Sequence, residues 1–121
     1  MIAEARQALA GLLADANVQV YAVVPDRATV PCAIVEPSST WIESGDTFGS
    51  FNINFDVTLA VQTGSNEKMT TDLDALVEAV IISITDAQGF YVASVDQPTG
   101  VNINDVQYLG LTLTVKQITK L

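Results

Sequence analysis

The stretch Phe51-Asn52-Ile53-Asn54-Phe55-Asp56-Val57-Thr58-Leu59-Ala60-Val61-Gln62 alternates along its whole length. Phe51, Ile53, Phe55, Val57, Leu59 and Val61 fall on one side, and Asn52, Asn54, Asp56, Thr58, Ala60 and Gln62 on the other. A period of two belongs to a β-strand, because successive side chains leave the pleat on opposite faces. At about 3.3 Å per residue the run spans roughly 40 Å, about twice the usual strand. A chain of 121 residues encloses too small a core to cover all of it. Part of the strand is expected to project, and a projecting strand suits assembly with other subunits.

After this strand, Thr63-Gly64-Ser65-Asn66 supplies helix-capping side chains, with Glu67 well placed for a first turn. A helix is expected from there to about residue 87. Met69, Leu73, Leu76, Val77, Val80, Ile81 and Ile84 form its core stripe, and Thr71, Ala75, Ala79, Ile82 and Asp86 its opposite face. That back face is small and bland. Ile82 reads most simply as a singly exposed apolar residue, and alternatively joins Ala75 and Ala79 in a strip packed on another subunit. Gly89 closes the helical region, residues 90–95 read as a strand, and Pro98-Thr99-Gly100 as a turn. In a last strand, from residue 108 to about 119, Leu109, Leu111, Leu113 and Val115 alternate with Tyr108, Gly110, Thr112, Thr114 and Lys116.

Before the long strand, Ile2, Ala5, Leu9, Leu12, Leu13 and Ala16 share one helical stripe. Residues 18–24 read as a strand stopped by Pro25, and residues 32–36 as another, bounded by Pro31 and Pro37. Residues 37–50 read as a loop rich in turn formers that nevertheless carries Trp41, Ile42 and Phe48. Those three either fold back on the core or dock in a neighbour, since large aromatic groups serve both purposes. The order helix, strands, helix, strands predicts a single domain over residues 1–121. The fold class is α+β, a mostly antiparallel sheet with two helices packed on one face and a long projecting hairpin.

Composition narrows the function. Fourteen acidic side chains against five basic ones give a formal charge of −9, which opposes tight binding to nucleic acid or an anionic membrane. No apolar run approaches the ~20 residues of a membrane span, and Met1-Ile2-Ala3-Glu4 lacks a basic segment leading into an apolar one. A soluble protein that is not exported is expected. Histidine is absent, which removes the commonest general base and zinc ligand. No phosphate-binding glycine loop occurs. The lone Cys32, set in Pro31-Cys32-Ala33-Ile34-Val35, reads as a small buried apolar residue rather than a nucleophile, since nothing near it in sequence would lower its pKa. Asp74 and Glu78 share a helix face at i,i+4, where carboxylates serve acid–base chemistry or a hard cation. A solvated acidic face is the better reading, because like charges so placed cost only ~0.2–0.5 kcal/mol. Asp96, Asn102, Asn104 and Asp105 do not match a calcium loop and read as turn residues. No catalytic, cofactor-binding or metal-binding set emerges, and an enzyme is the least expected class.

One pattern of spacings is more specific. An N-terminal helix precedes Val20-Tyr21, Val24-Pro25-Asp26-Arg27 and Pro31-Cys32-Ala33-Ile34-Val35-Glu36-Pro37. Gly45-Asp46-Thr47-Phe48-Gly49-Ser50 turns into the long strand, and Asn66-Glu67 leads to the helix with Leu73-Asp74-Ala75-Leu76. In this order the chain resembles the tail terminator, or tail completion, proteins of long-tailed bacteriophages, particularly those of phages of actinobacteria. The resemblance covers most of the chain. It implies a homo-oligomeric ring, usually a hexamer, that ends polymerisation of the tail tube and meets the head-completion proteins at the head–tail junction of the virion, after synthesis in the host cytoplasm. DNA would pass through the ring without specific binding, and an acidic wall would repel its phosphates. The family supplies no catalytic residue or cofactor.

Interface candidates therefore come from physics: Trp41, Ile42 and Phe48, with Asn52 and Asn54 as exposed parts of the long strand, and Ala75, Ala79 and Ile82 as a second patch. Candidates for an acidic lumen are Glu43, Asp46, Asp56, Asp72, Asp74 and Glu78, although for any one of them a solubilising outer surface is the better reading. Two other readings stay open. One is a different head–tail connector or head-completion protein. The other is a small regulatory domain of α+β type with a ligand pocket between helices and sheet.

Overall fold

The computed structural model describes residues 2–16, 18–23, 25, 29–45, 48–87 and 89–120, with side chains through residue 117. Its elements run α1 (Ile2–Ala14), β1 (Gln19–Tyr21), β2 (Cys32–Ser44), β3 (Ser50–Val61), α2 (Asn66–Thr85), β4 (Phe90–Val95), β5 (Thr99–Ile103) and β6 (Val106–Lys120). The sheet order is β1-β2-β3-β6-β4, with β5 also paired to β6. β1 lies parallel to β2, and every other pair is antiparallel. This is an α+β fold with both helices on one face.

The alternating strand that opens the sequence is the centre of the sheet. β3 pairs with β6 from Ser50↔Lys120 to Val61↔Leu109, and with β2 on its other side. Its apolar side meets the helices: Ile53, Phe55, Val57, Leu59 and Val61 share one core with Ala33 and Val35 of β2, and with Leu111, Leu113 and Val115 of β6. Above them lie Ala5, Leu9 and Leu13 of α1 and Leu73, Leu76, Val80 and Ile84 of α2. The flanks of both expected helical stripes, Ile2, Leu12, Ala16, Met69 and Val77 among them, pack against this core half-buried. Full burial of each large aliphatic or aromatic side chain here is worth about 1.5–3 kcal/mol, which is what holds short amphipathic helices in place. Ser65 caps α2, its hydroxyl accepting from the Lys68 N–H at 3.2 Å.

Two expectations are corrected. Residues 37–44, read as loop, belong to β2, which continues to Ser44. The pairing with β3 jumps from Pro37↔Phe55 to Ile42↔Ile53, so residues 38–41 bulge opposite Asn54. Proline and serine mark that irregularity in the sequence, while the strand itself is imposed by its partner. Thr99 and Gly100, read with Pro98 as a turn, instead open β5, and the reversal comes at Asn104 and Asp105, whose φ angles are 50° and 67°. Asparagine and aspartate tolerate this left-handed conformation and favour two-residue hairpin turns, as their turn reading anticipated. β4 and β5 together form one interrupted edge along β6, bridged by the Asp96 N–H to the Thr112 carbonyl at 2.9 Å.

Candidate assembly surface

The two limbs of the β2–β3 hairpin have different environments. Ser50, Ile53, Asn54 and Phe55 of β3 are buried between neighbouring strands. In β2, residues 32–35 are buried, but most residues from Pro37 onward are exposed. The open limb of the long hairpin is thus β2. Its exposed apolar groups are Trp41 and Ile42, each 36% exposed, and at the tip Phe48, at 106%. Phe48 makes no use of the core of its own chain. Gly49 follows it at φ 83°, a conformation in which a side chain would be strained.

A polar clasp fixes the base of this limb on the sheet face away from the helices. The Asn54 amide nitrogen donates to the Thr40 carbonyl at 2.7 Å and to Glu43 Oε1 at 3.0 Å. The same Glu43 oxygen accepts from Lys116 Nζ at 2.8 Å. The hydrogen bond from Lys116, then that from Asn54, holds the Glu43 carboxyl below the usual carboxylate range, and the Glu43 carboxylate in turn raises the Lys116 pKa. The clasp ties bulge, hairpin and β6 together, so Trp41 and Phe48 extend from an anchored base. Asn54, nominated as an exposed contact, is corrected: it is only 4% exposed and acts inside the chain. Its amide oxygen is buried with no hydrogen-bond partner among the described residues. Asn52 is half-buried.

The second patch lies on α2, with Ala75 exposed, Ala79 half-buried and Ile82 58% exposed. It faces away from the sheet and is separate from the hairpin.

The acids nominated for a lumen divide between two sides of the molecule. Glu43 and Asp56 project from the open sheet face, where Asp56 Oδ1 accepts from the Thr114 hydroxyl at 3.4 Å. Asp72, Asp74 and Glu78 lie on α2, beyond the opposite face, and Asp72 pairs with Lys68 at 3.0 Å. No single face of the sheet layer carries both sets. Asp46 lies outside the described residues. Glu36, which the sequence reading passed over, stands directly across from Asp56 in the β2–β3 register, and only the register could have revealed it. Among the described residues no three or more histidine, cysteine, aspartate or glutamate side chains come together as a metal-binding group, and no helix is long and apolar enough to cross a membrane. Cys32 is fully buried, and desolvation pushes its thiol pKa up to about 11.

No model of a known protein family matches the chain, and no curated protein matches it in sequence.

Proposed function

We propose that this chain is a structural subunit of the tail-terminator type. In this reading it forms a closed ring, hexameric by analogy, that caps the tail tube of a long-tailed phage, stops tube polymerisation and meets the head-completion proteins. The observation that carries the proposal is the fully exposed Phe48 at the tip of a hairpin whose base is clasped by Asn54, Glu43 and Lys116. An anchored limb with an unburied aromatic at its end is suited to insertion into a neighbouring copy. Because tip and receiving surface differ, the contact is heterologous, and such contacts close into rings when the rotation permits. The α+β architecture and the order of elements agree with the resemblance of the sequence to that family.

The acidic composition fits a passage for DNA: whichever acidic set faces the channel, repulsion keeps the genome from adhering. The test is tail length by negative-stain electron microscopy, in particles assembled with and without this protein. Overlong, headless tails in its absence are expected. Tails of normal length would overturn the reading and favour a head-completion role instead.

A further inference from the structure

Opposite the helices, part of the sheet is roofed by its own edge. β5 curls with the start of β6 so that Val101 and Ile103 pack with Cys32, Ile34 and Ala60 in a second, smaller core. The overhang is tied down at its turn, where the Asn104 amide donates to the Pro25 carbonyl at 2.7 Å. Close approach here requires a glycine: a Cβ on Gly110 would run into the Leu59 carbonyl oxygen. Between roof and sheet remains a cleft of about 290 Å³, at the small end of the range for ligand sites.

The cleft is amphipathic. Ile34, Val101 and Ile103 give it an apolar wall, Thr58 and Thr112 give hydroxyls, and Glu36 gives a carboxylate. Consecutive residues 99–104 all border it. A strand that lines a space with every residue presents an edge, and among the described residues β5 pairs with β6 alone, so alternate backbone carbonyls there have no strand partner among them. Among the described residues Glu36 makes no ion pair, and it faces the like charge of Asp56 across the strands. Opposed like charges on a sheet are unfavourable. An acceptor-rich cleft with an uncompensated carboxylate and an apolar wall matches a donor-rich cation on an aliphatic stem.

We propose that this cleft binds a guanidinium group carried on an alkyl chain. The planar fork of a guanidinium satisfies a carboxylate and neighbouring carbonyls together, while its stem lies on the apolar wall. The chemistry is shared by an arginine side chain of a partner protein and by a free guanidino amine. The proposal is independent of the ring reading.

The experiment is an NMR titration of the isotope-labelled full chain with N-acetyl-arginine amide and, separately, with agmatine, at constant ionic strength. Saturable shifts of the Glu36, Thr58, Gly100 and Thr112 amides are expected, with a dissociation constant on the order of millimolar. Tighter binding of the arginine amide assigns the site to a partner's side chain, and tighter binding of agmatine to a free amine. Glu36→Gln should weaken the response about tenfold. It relieves a like-charge pair, so the variant is expected to fold, and its amide dispersion checks this. Shifts that spread over all acidic surfaces, that sodium chloride reproduces, or that survive Glu36→Gln would overturn the proposal.

Discussion

Single residues carry two consequences that are simple to measure. Cys32 is fully buried and its thiol pKa stands near 11, so almost no thiolate is present at neutral pH and reagents cannot reach it. Aromatic disulfide reagents at pH 8 are expected to leave the native chain unmodified and to titrate one thiol once it is unfolded in guanidinium chloride. Rapid native modification would contradict that burial. Gly110 is the second case. Its missing side chain lets β6 bend under β5, and a Cβ would meet both the Leu59 carbonyl and Val101. Gly110→Ala should destabilise by about 1–3 kcal/mol, the usual cost of overpacking, read as a fall in the urea midpoint. Both residues were visible in the sequence. The burial of Cys32 followed from its apolar neighbours, whereas the role of Gly110 depends on β3, which pairs alongside it.

At the scale of elements, the hairpin clasp sets a pH dependence. The Glu43 carboxyl sits below its ordinary value, so its contribution is fully present above the unfolded pKa, about 4.3, and is lost as pH falls through the lower folded value. Lys116 is raised, so its share is present below about 10.4 and is lost as pH rises through the folded value. The stability difference between the native chain and Glu43→Gln, measured by urea denaturation, should therefore be largest between about pH 5 and 10. It should shrink toward pH 3, and a difference that grew on acidification would show that the clasp is not an ion pair. Helices and their core stripes were legible because a 3.6-residue period is local and strong. Two strand segments were not. Residues 38–44 and 99–103 carry serine, threonine, glycine or asparagine that suit turns equally well, and hydrogen bonding to β3 and β6 made them strands.

For the whole molecule, the two faces of the sheet divide the work. One is closed by α1 and α2 over a continuous apolar core, and the other presents the clasp, the cleft and a row of polar groups. The most exposed large apolar side chain among the described residues is Phe48, at the hairpin tip. If the chain assembles as proposed, Phe48→Ser should change folding stability by no more than about 0.5 kcal/mol, as expected for an exposed site, while weakening the proposed self-association, measured by light scattering at high concentration. Unchanged association would remove the hairpin tip from the interface and leave the Ile82 patch of α2 as the next surface to vary.

By itself the sequence determined the fold class, the two helices and their buried stripes, the long alternating strand, the buried thiol and the acidic character. All of these follow from residue type and from periods of two or 3.6, which are set within a few neighbours along the chain. The tertiary structure alone decided the extension of β2, the existence of β5, the burial of Asn54, the division of the acids between two surfaces and the cleft beside Glu36. Each of these depends on which strand lies alongside which, and in what register. Glu36 and Asp56 come face to face, and Gly110 against the Leu59 carbonyl, only after separate segments of the chain have paired.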